Sequence, residues 1–404
     1  MNSREVEVAI VGAGPVGSVL ALALARTGIR TALIEARAPA PWSEKTMDLR
    51  VYALARAAQN MLHRLGAWDH IVGTRACAYR VMEVWDAHAF GRVHFDAAEV
   101  DEPDLGHIVE GNLLTNTLIE RVQATPAIAW LCPAALQRME TGDDDAELVL
   151  EGGHRLRAQL VVGADGARSR VRELAGIEVE VSDYGQTAVV AHLRPEQAHA
   201  ATARQIFRPD GPLALLPLAD GRISMVWSTA PERAEQLLAL NADAFGEAVS
   251  AAGERALGKL TLAGERASFP LRRLHAAKYV APRVALVGDA AHVVHPLAGQ
   301  GMNLGLLDAA ALAEVIADGH RNGHDVDDFL VLRRYERWRH TENLAMQAAF
   351  GSFKHLFGLD SVPVRTLRGA GMQLFNRAGP AKRLAMRIAL GTAGDLPELA
   401  KPMV

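Results

Sequence analysis

Three glycines, Gly12-x-Gly14-x-x-Gly17, are the first residues of the chain whose spacing implies chemistry. They follow an apolar run and open an Ala/Leu-rich segment. In that context glycines let the backbone approach a pyrophosphate at the positive end of a helix. Glu35 lies 18 residues after Gly17, at the end of the next apolar run. A carboxylate there accepts hydrogen bonds from ribose hydroxyls. It disfavours a 2′-phosphate, a preference that Arg37 softens, so FAD or NAD fits better than NADP.

Two further motifs decide between those cofactors. One holds Gly163, Asp165, Gly166, Ser169 and Arg172. The other holds Gly288, Asp289, His292, His295, Pro296, Gly299, Gln300, Gly301 and Asn303, and begins 276 residues after Gly12. A plain NAD dehydrogenase does not need a second acid-ended strand so far along, whereas a bound FAD does. Asp289 can hold the ribityl chain. A helix beginning near Gly301 aims its positive end at the flavin pyrimidine edge, where reduced flavin is negative. Gly299 and Gly301 permit close backbone approach.

The elements that must position these residues can be read from periodicity. Residues 6–13 read as a buried strand and residues 18–28 as a helix that Gly28 ends. Residues 31–36 make a second strand, so a βαβ unit and a parallel sheet are expected. Residues 40–66 read as a loop and a helix, 80–95 as two strands around a turn, and 147–167 as a hairpin feeding a buried strand. Residues 187–230 are strand-rich, 232–257 helical, and 303–319 a long helix. The predicted fold is α/β. A Rossmann-like FAD-binding domain is built from residues 1–75, 100–180 and 270–345. A mostly antiparallel β-sheet substrate domain (76–99 and 181–269) is inserted into it, and a C-terminal helical region covers 346–404.

Composition narrows the function classes. The 404 residues carry 43 Lys+Arg against 47 Asp+Glu, a net charge of −4, which argues against a nucleic-acid binder. With 50% hydrophobic and 22% charged residues the chain is globular. Two cysteines, Cys77 and Cys132, cannot build a disulfide scaffold or a four-thiolate zinc site. Residues 8–25 run without a charge, but Gly12, Gly14, Pro15 and Gly17 interrupt them, and Glu5 and Glu7 oppose the basic start of a secretory signal. Neither a span nor a targeting segment is expected.

Together the three motifs resemble the class A flavoprotein monooxygenases, the 4-hydroxybenzoate hydroxylase fold group. More narrowly, His295-Pro296-Leu297-Ala298-Gly299-Gln300-Gly301-Met302-Asn303-Leu304-Gly305 through Asp308 resembles the signature of the ubiquinone-biosynthesis hydroxylases. Asp48-Leu49-Arg50 followed by Ala53-Leu54, Gly211-Pro212-Leu213-Ala214 followed by Leu216-Pro217-Leu218, and the tail with Gly391 and Leu396-Pro397 match as well. The resemblance covers essentially the whole chain.

It implies bound FAD, transient NAD(P)H as reductant, and O₂ adding at flavin C4a to give a hydroperoxide that hydroxylates the ring of a (poly)prenylated phenol. Hydroxylation of a small soluble aromatic is the alternative. Gly12, Gly14, Gly17, Glu35, Arg50, Asp165, Asp289, Gly299, Gln300, Gly301, Met302 and Asn303 would contact the cofactor, and Pro296 would sit over the flavin ring. Asn112 stands where the family usually shows Arg or Gln. Phe207, Leu216, Pro217 and Trp227 are candidate pocket walls. No general base is selected, since Tyr52, His192 and His295 are all available. A flavin reductase without oxygen chemistry and an FAD-stabilised scaffold are the remaining readings. The intact Gly299–Asn303 loop argues against a scaffold.

Other features have plainer readings. His292 and His295 have metal-like spacing but no third ligand beside them, so no metal is assigned. Asp143-Asp144-Asp145 lack the alternation of a calcium loop and read as a solvated turn. Ser169 and Ser224 lack a nucleophile elbow. Between residues 361 and 394 there are six basic residues (Arg365, Arg368, Arg377, Lys382, Arg383, Arg387) and no acidic one. Leu367, Leu374, Phe375, Leu384, Ile388 and Leu390 are interleaved with them. Such a surface can rest on anionic lipid or join a biosynthetic complex. The expected location is cytoplasmic, peripheral to the inner membrane.

Overall fold

The computed structural model describes residues 4–295, 299–358 and 361–403. The first apolar run forms the strand Arg4–Val11, followed by the helix Pro15–Ala25 and the strand Thr31–Ile34. Arg4–Val11 is central in an eight-stranded sheet. Thr31–Ile34 and then Ile128–Leu131 extend the sheet on one side in parallel. Arg155–Gly163 and then Val284–Leu286 extend it on the other, also in parallel. The strand order therefore reverses beside Arg4–Val11. A crevice opens at such a switch point, outside the carboxyl ends of the strands. The strands read as continuous apolar runs because both faces are covered. The helix Pro15–Ala25 packs against the helices Gln300–Arg321 and Gly111–Gln123, which explains why almost all of it is apolar.

A second eight-stranded sheet runs in the order His292–Val293, Leu260–Ala276, Val179–Pro195, Ile223–Thr229, Leu213–Pro217, Thr202–Phe207, Val81–Asp86, Arg92–Asp96. All its pairings are antiparallel except Thr202–Phe207 against Val81–Asp86. One face buries a separate core with Trp85, Val189, Leu213, Met225, Trp227 and Phe245. The helices Pro231–Ala239 and Ala242–Ala252 lie where the sequence predicts one helix. The second starts afresh because the Asn241 side chain accepts from Ala244 N at 2.9 Å.

A small third sheet joins the two. Its strands are Val51–Leu54, Gly106–Glu110 and Ala76–Tyr79. Val51–Leu54 lies inside the segment that periodicity assigns to a loop. After the helix Gln300–Arg321, the helix Phe329–Gly358 runs unbroken through residue 346. The helices Val362–Arg377 and Gly379–Leu390 follow.

Candidate functional site

Gly12 and Gly17 shape the crevice by letting backbones touch. Gly12 has φ +105°, and a Cβ there would lie 2.3 Å from the Ala164 carbonyl oxygen. A Cβ on Gly17 would lie 2.0 Å from the Gly12 oxygen. Gly14 differs: an added Cβ meets nothing within 4 Å. Gly14 is also the N-cap of Pro15–Ala25, and no side chain caps that helix end. Open space in front of bare helix N–H groups is what a pyrophosphate requires.

Glu35 closes the same turn. Its carboxylate accepts from Ala13 N at 2.8 Å and Arg37 N at 3.2 Å, and its remaining lone pairs stay available to a ribose. Asp165 accepts from Arg170 N at 2.7 Å and Val171 N at 3.2 Å through Oδ2, whereas its Oδ1 is buried without a partner. Ser169 is the N-cap of the next short helix, since its hydroxyl accepts from Arg172 N, so it has no nucleophile geometry. Arg172 reaches Ala290 O at 2.8 Å and ties this loop to the turn after Val284–Leu286.

That turn carries Asp289. Its side chain is exposed to solvent, and the charges of His292 and Arg50 lie near enough to act on it. Arg50 and Asp289 thus face one cleft from opposite ends of the sequence. The Asp48 carboxylate accepts from Arg50 N at 3.0 Å and Asn112 N at 2.9 Å, bringing those two residues together. Asn112 Oδ1 is buried without a partner, an acceptor left for a ligand.

The helix Gln300–Arg321 aims its N-terminus at this cleft. Gly299 precedes it at φ +65°, where a Cβ would lie 3.1 Å from Ala53 Cβ, and no side chain caps the helix. Asn303 is spent on protein: it accepts from Ala55 N at 3.0 Å and donates to Ala53 O at 2.9 Å, clamping the helix to the strand Val51–Leu54. Met302 packs against the main core. Gln300 is half-buried at the helix start. Pro296 lies outside the described residues.

Two supports take roles that the sequence patterns do not show, although Asp308 closes the signature that starts at His295. Buried Glu110 receives Arg75 on both oxygens, at 2.5 and 3.1 Å, and also Asp48 N at 2.8 Å. Arg75 further donates to the carbonyls of Ser43, Glu44 and Thr46, fastening the segment that leads to Arg50. The second support is Asp308, fully buried on the helix. It accepts from Gly288 N (3.1 Å), His292 (2.5 Å), Arg339 (2.8 Å) and Asn343 (3.0 Å). His292 and Arg339 hold its pKa down at about 2 against the cost of burial. The signal for both supports is a lone charge in an otherwise apolar stretch, whose partner lies far along the chain.

None of the three candidate bases stands out. Burial raises the Tyr52 pKa. His192 is bonded to Asp48 O at 3.0 Å, and burial lowers its pKa. His295 is engaged by Gln186 at 3.0 Å and the edge of Tyr184. Asp145 pairs with Arg157 at a strand turn.

The wall over the cleft is the second face of the eight-stranded, mostly antiparallel sheet. Phe207 packs with Val294, Leu304 and Met346, and Leu216 packs with Val51, Ala53 and Ile108. Trp227 is not a wall. Side chains alternate along a strand, and Trp227 points into the opposite core, as Pro217 does beside Leu213 and Leu215.

A dinucleotide crevice with a second sheet roofing it defines a flavoprotein of the FAD-dependent monooxygenase class. The family model described as FAD binding domain matches residues 5–348, and the chain belongs to that family. Similar proteins include the 3-demethoxyubiquinol 3-hydroxylase of Escherichia coli, 40% identical over 97% of this chain and 100% of the relative. The ubiquinone hydroxylase UbiL of Rhodospirillum rubrum is 39% identical over 97% of this chain and 91% of its own. Among solved structures, the p-nitrophenol 4-monooxygenase PnpA from Pseudomonas putida superposes with a TM-score of 0.79 at 20% identity, covering 97% of this chain and all of that one.

Proposed function

We propose that the chain hydroxylates the aromatic ring of a prenylated phenol in ubiquinone biosynthesis. Bound FAD supplies the oxygen-activating redox chemistry. The Gly12–Gly14 turn would hold its pyrophosphate, Glu35 its ribose and Asp289 its ribityl chain. Asn112 and Arg50 would contact it from the loop side, and the N-terminus of Gln300–Arg321 would meet the ring edge. That uncapped helix end stabilises negative charge where it develops. Nicotinamide nucleotide serves as a transient reductant.

The observation that carries the substrate class is the cleft wall. Val84, Gln205, Phe207, Ala214, Leu216 and Val226 share one sheet face, and the charged residue beside Phe207 on it, Asp86, is already paired with Arg368. A wall of this kind accepts an apolar tail and gives a carboxylate no partner. The test is O₂-dependent turnover of a geranylated methoxyphenol against a salicylate-type acid, with labelled oxygen traced into product. Labelled geranylated product is expected. Turnover of the acid alone would overturn the reading.

We further propose that the C-terminal helices rest on anionic lipid. Leu367 and Leu374 are 72% and 71% exposed, and Leu384 and Ile388 are half exposed. Arg377, Arg383 and Arg387 lie on the surface beside them. Two of the six basic residues point inward instead: Arg368 pairs with Asp86 at 2.5 Å and Lys382 with Glu99 at 2.7 Å. Phe375 and Leu390 also pack inward. No helix among the described residues is long and apolar enough to cross a membrane. Replacing Leu367 and Leu374 by Glu is expected to abolish sedimentation with vesicles containing anionic lipid and to leave FAD content unchanged. Unaltered sedimentation would refute the contact.

A further inference from the structure

Three glutamines are buried among the described residues: Gln59, Gln205 and Gln347. Gln59 donates to Leu54 O, and Gln347 donates to Leu274 O and Val293 O. Gln205 is only 6% exposed, yet among the described residues its amide has no hydrogen-bond partner. An amide offers two donors and an acceptor, and the protein uses none of them here.

Register fixes where that amide points. Ile206 faces the core with Leu213 and Trp227, so Gln205 faces the cleft. Its neighbours on that face are Val84 on one side and Ala214 on the other, with Val226 beyond. Gln205 lies two residues from Phe207, between the patch at Val294 and Leu304 and the patch at Ala53 and Ile108. The amide is not sealed in, unlike Trp85 Nε1 and Trp227 Nε1 on the core face, which are fully enclosed without partners. Among the described residues it is the buried glutamine with an uncommitted amide on this wall, and its amide atoms are not among those sealed from solvent.

We infer that Gln205 is a specificity-determining residue whose amide hydrogen-bonds an oxygen substituent on the substrate ring. The inference rests on the function proposed above and adds to it a residue for the polar end of the ligand. The rest of the wall reads only shape and apolarity. A site that pairs a polar group rejects the analogue lacking it, because the protein's own group is then left unpaired.

The test compares two probes, a geranylated 2-methoxyphenol and geranylbenzene, binding to the FAD-loaded protein through changes in flavin absorbance. Loss of one neutral hydrogen bond predicts that wild type prefers the phenol roughly 3- to 10-fold more strongly than Gln205→Leu does. The variant should also melt at the same or a higher temperature, because an unpaired amide has been replaced by a similar apolar volume. A structural role would instead lower the melting temperature and leave the preference unchanged. Unchanged discrimination in a variant of a wild-type protein that binds and oxygenates the phenol overturns this inference alone. A wild type that neither binds nor oxygenates the phenol overturns the proposed function, and this inference with it.

Discussion

Asp308→Ala is expected to destabilise the protein by about 3–5 kcal/mol in urea unfolding and to release FAD, because it strands a buried guanidinium. Arg339 is 1% exposed, and its Nε donates to Asp308 at 2.8 Å. Glu342, half exposed, takes a second nitrogen of Arg339 and compensates only in part. The carboxylate also holds Gly288 N, so the turn presenting Asp289 loses its anchor together with His292 and Asn343. Replacing both partners by apolar residues, Asp308→Leu with Arg339→Met, should cost less than Asp308→Ala alone, since no unpaired charge remains. A loss below about 1 kcal/mol for Asp308→Ala would refute the account, since that is within the ordinary range for point mutants. The pH dependence has a definite sign. Asp308 has a folded pKa of about 2, below its unfolded value. Its contribution is therefore complete above the unfolded value and is lost as pH falls through the folded one. Between pH 5 and 8 stability should owe nothing to its titration.

The readable parts of this fold are those whose physics is local. Gly12, Gly14 and Gly17 sit between an apolar strand and an Ala/Leu helix, and a glycine spacing survives in one dimension. Gly288, Asp289 and the uncapped start of Gln300–Arg321 are legible for the same reason. Side-chain direction is harder. Phe207 and Trp227 look alike in sequence as apolar strand residues, yet a difference of one position in register sends one to the cleft and the other to the core. Long-range pairs are hardest. Arg368 and Lys382 read as part of a basic surface, but their partners Asp86 and Glu99 lie 282 and 283 residues earlier. Arg75 with Glu110, and His192 with Asp48, were likewise hidden until the chain folded back on itself. Arg75–Glu110 and His192–Asp48 hold the loop leading to Arg50, while Arg368–Asp86 and Lys382–Glu99 hold the C-terminal helices to the second sheet and the turn after it, and none of them presents a motif of its own.

The glycines of the first turn separate space that the fold needs from space that a ligand needs, and two substitutions should divide accordingly. Gly12→Ala must place a Cβ 2.3 Å from a backbone oxygen at φ +105°. Strain and overpacking together predict a loss of about 2–5 kcal/mol in the apoprotein. Gly14→Val meets nothing within 4 Å and sits at φ −63°, ψ 176°, which any residue adopts. Valine is a poorer N-cap than glycine, so the apoprotein should lose less than about 1 kcal/mol. Its side chain, however, fills the space before the helix end. Displacing a pyrophosphate by an overpacked branched side chain should weaken FAD roughly 10- to 100-fold, read by titration of flavin fluorescence. If Gly14→Val bound FAD as tightly as wild type, the pyrophosphate could not lie against this helix. The open space at Gly14 would then need another occupant, even though the fold and the family model both lead to FAD.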